Sequence, residues 1–194
     1  MLKRWDGHSD IGSVGTHLFQ EVWKRAQDVP ALWQVPFDPA DPVNTPRDLN
    51  AANPLVVKAM SDALSYLEDK GVRPDARWGS LQVAGDDGAP AIPIGGGEGF
   101  AGNANAVSSR LPAANLGRLY PISYGSSHIQ AIAFRADGRL TARTILSYSQ
   151  SMDRTKRISQ DQTRLFSQER WVSFPWTTRQ IRGDAVRTFV VRGR

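Results

Sequence analysis

The chain has no cysteine and only three histidines among its 194 residues. The first absence excludes disulfides, thiolate metal sites and a cysteine nucleophile within this stretch, while leaving the compartment open. No apolar run approaches the ~20 residues that a membrane-spanning helix needs. The opening Met1-Leu2-Lys3-Arg4-Trp5-Asp6 lacks the apolar core of a signal peptide, so an export signal is expected elsewhere if the mature protein is exported. No Gly-x-Ser-x-Gly elbow is present to single out a nucleophilic serine. Acidic residues are scarce towards the end: Arg154, Lys156, Arg157, Arg164, Arg170, Arg179, Arg182, Arg187, Arg192 and Arg194 face only Asp161, Glu169 and Asp184.

That imbalance sets a net charge of +5 and raises the question of nucleic acid. Trp171, Phe174 and Trp176 lie among the arginines, yet no nucleic-acid reading motif accompanies them. A solvated basic surface, or a face that packs on an acidic segment, is the preferred reading. The 40% hydrophobic content is that of a globular, water-soluble chain. At this size one domain can bury roughly 70% of its unfolded surface. No repeat, low-complexity tract or linker divides residues 1–194, so a single structural unit is expected.

Between Ser9 and Gln27 the apolar positions Ile11, Val14, Leu18, Phe19, Val22, Trp23 and Ala26 recur in steps of three and four. The spacing predicts one amphipathic helix capped by Ser9 or Asp10 and ended by Pro30. Pro36, Pro39, Pro42 and Pro46 then hold the chain extended over a surface, with no regular element. Asn53-Pro54 starts a second helix with a capping side chain and a first-turn proline. Its stripe is Leu55, Val56, Ala59, Met60, Ala63, Leu64 and Leu67; Gly71 stops it, and Met60 is core filler. Trp78 to Val83 reads as a short strand followed by a turn at Asp86-Asp87-Gly88.

Gly97-Glu98-Gly99-Phe100-Ala101-Gly102 matches the dinucleotide-binding spacing only formally. Pro90 and Pro93 oppose the buried strand that must precede it, and no acidic residue stands about twenty positions later to hold a ribose. The stretch from Pro90 to Pro112 is therefore read as a loop with positive-φ glycines passing close to other backbone. No cofactor is expected.

The organising stretch is Ser126 to Ser167. Two strands carrying Ile129, Ile132 and Phe134, then Leu140, Ile145 and Leu146, flank the turn Ala136-Asp137-Gly138. Neither strand alternates cleanly, which predicts cover on both faces. Ser159 to Gln162 has capping-box spacing for a short helix anchored by Leu165 and Phe166. Ala185 to Val191 returns to strand character.

Gly125-Ser126-Ser127, the run Leu146 to Asp153 (Leu-Ser-Tyr-Ser-Gln-Ser-Met-Asp), and Asp161 to Ser167 (Asp-Gln-Thr-Arg-Leu-Phe-Ser) with Trp171 and Phe174-Pro175 carry a resemblance. So do Trp5-Asp6-Gly7, Pro36 to Pro39, Asp41-Pro42-Val43 and Trp78-Gly79. Together, and in this order, they resemble the C-terminal end of the penicillin acylase family of N-terminal-nucleophile amidohydrolases. The wording is most similar to the branch of acyl-homoserine-lactone and aculeacin acylases. The resemblance implies an α+β fold: part of an αββα sandwich of antiparallel strands with covering helices. It also implies acyl transfer to a nucleophile exposed by self-cleavage, whose own α-amino group takes the proton. The complete enzyme is expected in the periplasm or outside the cell.

Candidate chemistry within the chain is sparse. His17 lies off the first helix's stripe and reads as solvated, making a weak helical pair with Glu21. His8 sits beside Asp6 without an evident third zinc ligand. His128 starts an apolar strand and reads as a satisfied structural residue. Ser147, Ser149 and Ser151, with Tyr148 and Gln150, form the most polar strand end; their preferred role is to satisfy backbone as the chain leaves a core. Gly12-Ser13, Gly79-Ser80 and Gly125-Ser126 are bonds of the type such precursors cut, but each lies within the region resembling the family's far end.

The resemblance thus implies that the nucleophile, oxyanion asparagine, supporting arginine and calcium ligands belong to upstream sequence, and none is assigned here. Catalytic residues and metal ligands in this chain are expected to be none, and its partners are the upstream acylase polypeptide and a small acylated amide. The competing reading is a non-catalytic binding or scaffold module derived from such an enzyme, with an anionic partner as one candidate ligand for its arginine-rich tail; salt-sensitive retention of nucleic acid would favour it.

Overall fold

The computed structural model describes residues 5–85, 91–110, 119–151, 153 and 155–191. The expected turn at Asp86-Asp87-Gly88, together with Pro90, Pro112, Arg154, Arg192 and Arg194, lies outside the described residues. The chain divides into two compact units, Met1–Gly125 and Ser126–Arg194.

In the first unit, helix α1 (Thr16–Ala26) packs on helix α2 (Pro54–Asp69). Leu18, Val22 and Ala26 meet Val56, Ala59, Ala63 and Leu67 in a core that also takes Trp78 and Tyr120. Helix α2 matches its expected start and stop. The Asn53 side chain accepts the Leu55 amide, Pro54 opens the first turn, and Gly71 leaves the helix at φ +63°. A cap of this kind contributes about 1 kcal/mol. Met60 is partly buried against the core, as filler.

Helix α1 is shorter than the periodicity predicts. The Trp78 amide donates to the Ser13 carbonyl and the Gly79 amide to the Ile11 carbonyl, while Val14 bridges Arg77. Residues 11–14 therefore lie alongside 77–79, and Gly15 at φ +105° turns the chain into the helix without a side-chain cap. Neither Ser9 nor Asp10 caps it. A step of three from Ile11 to Val14 belongs to this tertiary pairing, which local spacing cannot reveal.

The proline-rich stretch also differs from expectation. Short strands β1 (Trp33–Val35) and β2 (Arg47–Leu49) pair antiparallel on either side of it. Between them the chain makes turns instead of running extended, with the Asp38 amide on the Thr45 hydroxyl and the Ala40 amide on the Asp38 carboxylate.

A four-stranded sheet completes the unit, built from β3 (Gln82–Ala84), β4 (Ile92–Pro93), β5 (Val107–Ser109) and β6 (Tyr120–Gly125) in the order β4-β3-β6-β5. Its pairs are antiparallel except β3 with β6. Trp78–Ser80 is a single tight helical turn rather than strand. The stretch expected to be loop carries strands β4 and β5, while its glycines take the positive φ expected of them: Gly96 and Gly102 sit at φ +87° and +83°, and the Gly96 amide bonds the Ser9 carbonyl.

In the second unit, β7 (His128–Phe134) and β8 (Leu140–Leu146) form the expected hairpin, paired over seven positions. Gly138 at φ +77° closes the turn, and the Arg135 amide donates to the Arg139 carbonyl. A third strand, β9 (Val172–Phe174), joins β8, giving the order β7-β8-β9. Helix α3 (Asp161–Ser167) follows the hairpin as expected, and helix α4 (Thr178–Asp184) is additional.

Three expectations fail here. The capping box at Ser159 does not form: Gln160 occupies the cap and the Gln162 side chain instead accepts the Leu146 amide at 2.8 Å. Thr177 and Gln180 build a complete capping box for α4. Cover on both faces of the hairpin is also not observed. Ala142 and Ile145 of β8 are buried, but Phe134 is 81% exposed. Finally, residues 185–191 are not a strand, because nothing among the described residues pairs with them, and Val186, Phe189, Val190 and Val191 stand in solvent.

Candidate functional site

The three histidines are held in separate surroundings. The His8 amide donates to the Asp6 carboxylate, and the ring is exposed. His128 Nε2 meets Thr144 Oγ1 at 2.7 Å across the hairpin, a cross-strand polar pair on an exposed face. His17 overturns its expectation: it is fully buried, with Nε2 at 3.0 Å from the Arg73 carbonyl and its ring stacked on Trp78. Its helix is enclosed on more than the apolar stripe, so Thr16, Gln20 and Glu21 are buried too.

Burial pushes the His17 pKa down, against the opposing pull of the Arg73 carbonyl and of the Glu21 and Asp75 carboxylates. Because a carbonyl can only accept, Nε2 carries the proton, and burial favours the neutral form of the ring. Its depressed pKa means that the unfolded chain binds more protons below the ordinary value of 6.5. Stability is therefore complete above pH 6.5 and declines as pH falls from there through the folded-state pKa. Urea midpoints at pH 8 and pH 5 should separate for the native chain, and the separation should shrink in His17→Gln.

Glu21, expected as a weak surface pair for His17, is instead a buried charge. Lys24 at 3.1 Å and Arg25 at 2.8 Å, one helical turn away, neutralise it. Burial, followed by the Glu21 charge, drives the Tyr120 hydroxyl far above its usual range, so it stays protonated.

Behind them lies a network of uncharged groups. Trp78 Nε1 and Gln82 Nε2 both donate to the Gly96 carbonyl, at 2.8 and 3.0 Å, and Ser109 Oγ donates to Gln82 Oε1 at 2.6 Å. Gly96 and Gly97 admit this convergence; a side chain on Gly96 would collide with the Asn105 carbonyl. The network fastens the glycine-rich loop to the sheet. No hydroxyl in it is bonded to a histidine.

The serine-rich strand end is likewise engaged in holding backbone. Ser147 Oγ donates to the Ser126 and Ser127 carbonyls. Ser149, at φ +63°, accepts the Thr163 amide at 3.0 Å, and Thr163 Oγ1 donates to the Ser147 carbonyl at 2.7 Å. Ser151 accepts the Asp153 amide, whose carboxylate is in turn kept below its usual pKa by the Thr155 hydroxyl and amide. These bonds pin helix α3 to the end of β8, the structural role preferred from sequence.

Among the described residues no group of three His, Asp or Glu side chains is arranged to hold a metal. No described helix is long and apolar enough to cross a membrane.

The described residues make an α+β fold in which many of the polar side chains bond the chain's own backbone. The penicillin amidase family profile matches residues 1–183, and the chain belongs to that family of N-terminal-nucleophile amidohydrolases. Among its relatives, the acyl-homoserine lactone acylases PvdQ of Pseudomonas savastanoi pv. phaseolicola and Pseudomonas fluorescens are 36% and 37% identical over 94% of the chain. The aculeacin-A acylase of Actinoplanes utahensis is 32% identical over the same share. The chain spans about a quarter of the length of these relatives: 24% of each PvdQ and 22% of the aculeacin-A acylase.

Proposed function

We propose that this chain is the C-terminal part of the large chain of an N-terminal-nucleophile acylase, and that it supplies framework rather than reacting groups. The observation that carries this reading is the 36–37% identity to acyl-homoserine lactone acylases along 94% of the chain, over only 24% of their length. The engagement of the His17 and His128 rings and of Ser147, Ser149 and Ser151 in structural bonds supports it from the other side.

The complete enzyme hydrolyses an N-acyl amide: an acyl-homoserine lactone or another long-chain acylamide first, a β-lactam side chain second. Such a reaction fits quorum quenching or antibiotic metabolism in the periplasm or outside the cell. The nucleophile is the first residue of the large chain, carried by preceding polypeptide. Its hydroxyl or thiol attacks the amide carbonyl while its α-amino group, with an ordinary pKa near ~8, accepts the proton. The amine leaves, an acyl-enzyme remains, and water frees the acid. Oxyanion donors that hold the tetrahedral intermediate contribute on the order of 3 kcal/mol each.

The test is turnover of a long-chain acyl-homoserine lactone by the purified chain, alone and co-expressed with the acylase polypeptide encoded ahead of it. No hydrolysis is expected from the chain alone, and robust hydrolysis from the pair. Robust turnover by the chain alone would reject the proposal.

A further inference from the structure

A groove of about 750 Å3 lies in the second unit between the hairpin turn and helix α4. Phe134, Leu140 and Trp176 give it apolar walls, and Arg135 and Arg139 line it with them. Its volume falls in the range of about 300–1,000 Å3 usual for small-molecule sites. None of these five side chains is buried, and none takes part in the bonds that pin α3 to the end of β8.

Local bonding fixes both sides of the groove. On the α4 side, Gln180 Oε1 accepts the Trp176 amide at 3.0 Å and the Thr177 amide at 2.9 Å, and Thr177 Oγ1 accepts the Gln180 amide in return. This capping box holds the backbone that carries the Trp176 ring, whose centroid is 6.4 Å from that of Phe174. On the hairpin side, the Arg139 amide donates to the Asp137 carboxylate at 3.0 Å, and Gly138 closes the turn. Walls set in advance reduce the ordering cost of binding.

The charges in the groove are unbalanced. Asp137 meets Arg139 through Nε at 2.9 Å, so the terminal amino groups of that guanidinium remain to donate. Arg135 has no carboxylate partner among the described residues. A guanidinium presents paired donors that match the two oxygens of a carboxylate. Phe134 and Trp176, 81% and 49% exposed, put apolar surface beside these donors. An anion with an apolar body satisfies both features; a bare anion leaves the rings wet, and a neutral chain leaves the arginines unmatched. We infer that the groove binds a long-chain carboxylate, with its carboxyl group on Arg135 and Arg139 and its hydrocarbon chain across Phe134, Leu140 and Trp176. The choice of ligand rests on the proposed reading of the complete enzyme, whose hydrolysis of a long-chain acylamide releases such an acid.

Titration calorimetry of the full chain with dodecanoate, kept below its micelle-forming concentration, tests the inference. One dodecanoate per chain should bind saturably. Dodecanol keeps only the hydrocarbon and butyrate little beyond the charge, and each should bind at least about tenfold more weakly. Phe134→Ser, Trp176→Ala and the double substitution Arg135→Gln with Arg139→Gln should each weaken dodecanoate about tenfold. Phe134 stands largely in solvent, so its variant keeps the fold, which circular dichroism checks.

Equal affinity for dodecanol, affinity untouched by the Phe134 and arginine substitutions, or uptake only above the micelle-forming concentration overturns the site. Binding that is lost on truncation after Asp184 while the groove variants keep it belongs to the tail, and overturns the site as well. Hydrolysis by the co-expressed pair is measured separately. Activity without dodecanoate binding removes the groove as a site and leaves the functional reading standing; saturable binding without activity keeps the site and removes that reading.

Discussion

Trp78→Ala should cost the first unit about 4 kcal/mol, the upper range for losing a large buried aromatic side chain. The indole is completely enclosed, with its ring 5.4 Å from Tyr120 and 6.4 Å from His17. Its Nε1 donates to the Gly96 carbonyl, so truncation both opens a cavity and loosens the glycine-rich loop. Since whole domains hold only about 5–15 kcal/mol, the substitution should bring this unit close to unfolding. Trp78→Phe keeps most of the ring and loses the hydrogen bond, and should cost about 1–2 kcal/mol. Urea unfolding followed by far-ultraviolet circular dichroism gives both values. A loss below about 1 kcal/mol for Trp78→Ala would mean that the site collapses around the gap and that Trp78 does not organise the unit.

What could be read from sequence was governed by whether its cause was local. Helix α2 and the hairpin are specified by neighbours: Asn53, Pro54 and Gly71 for the one, Asp137-Gly138 between apolar runs for the other. The start of α1 was misplaced because Ile11 and Val14 answer to Arg77 and Gly79, far along the chain. His17 was misjudged for the same reason. A polar residue beside an apolar stripe ordinarily meets water, but here the Arg73 carbonyl and the Trp78 ring close over it. Strands β3 to β6 are short and rely on Gln82, Ser109 and the glycines, residues that carry little strand signal by themselves. The tail 185–191 has strand composition and no partner among the described residues, and composition cannot provide one.

The family was legible where the fold in detail was not. Motifs spread from Trp5 to Pro175 held the resemblance, and the family profile covers residues 1–183. The glycine-rich segment shows how packing can imitate a binding motif. Two of its glycines have local reasons: a side chain on Gly97 would collide with Gln20, and Gly102 takes φ +83°. The Ser147–Ser149–Thr163 knot similarly explains hydroxyl groups that would otherwise invite a catalytic reading.

Trapping the acyl-enzyme decides most directly whether these residues frame the chemistry or perform it. The co-expressed complex would be mixed with a slowly hydrolysed long-chain acyl ester, quenched in acid and analysed by peptide mass spectrometry. The acyl group should appear wholly on the first residue of the partner polypeptide, with every serine and threonine of this chain unmodified. A stoichiometric acyl group on Ser13, Ser80, Ser126 or the Ser147 to Ser151 strand end would contradict the account.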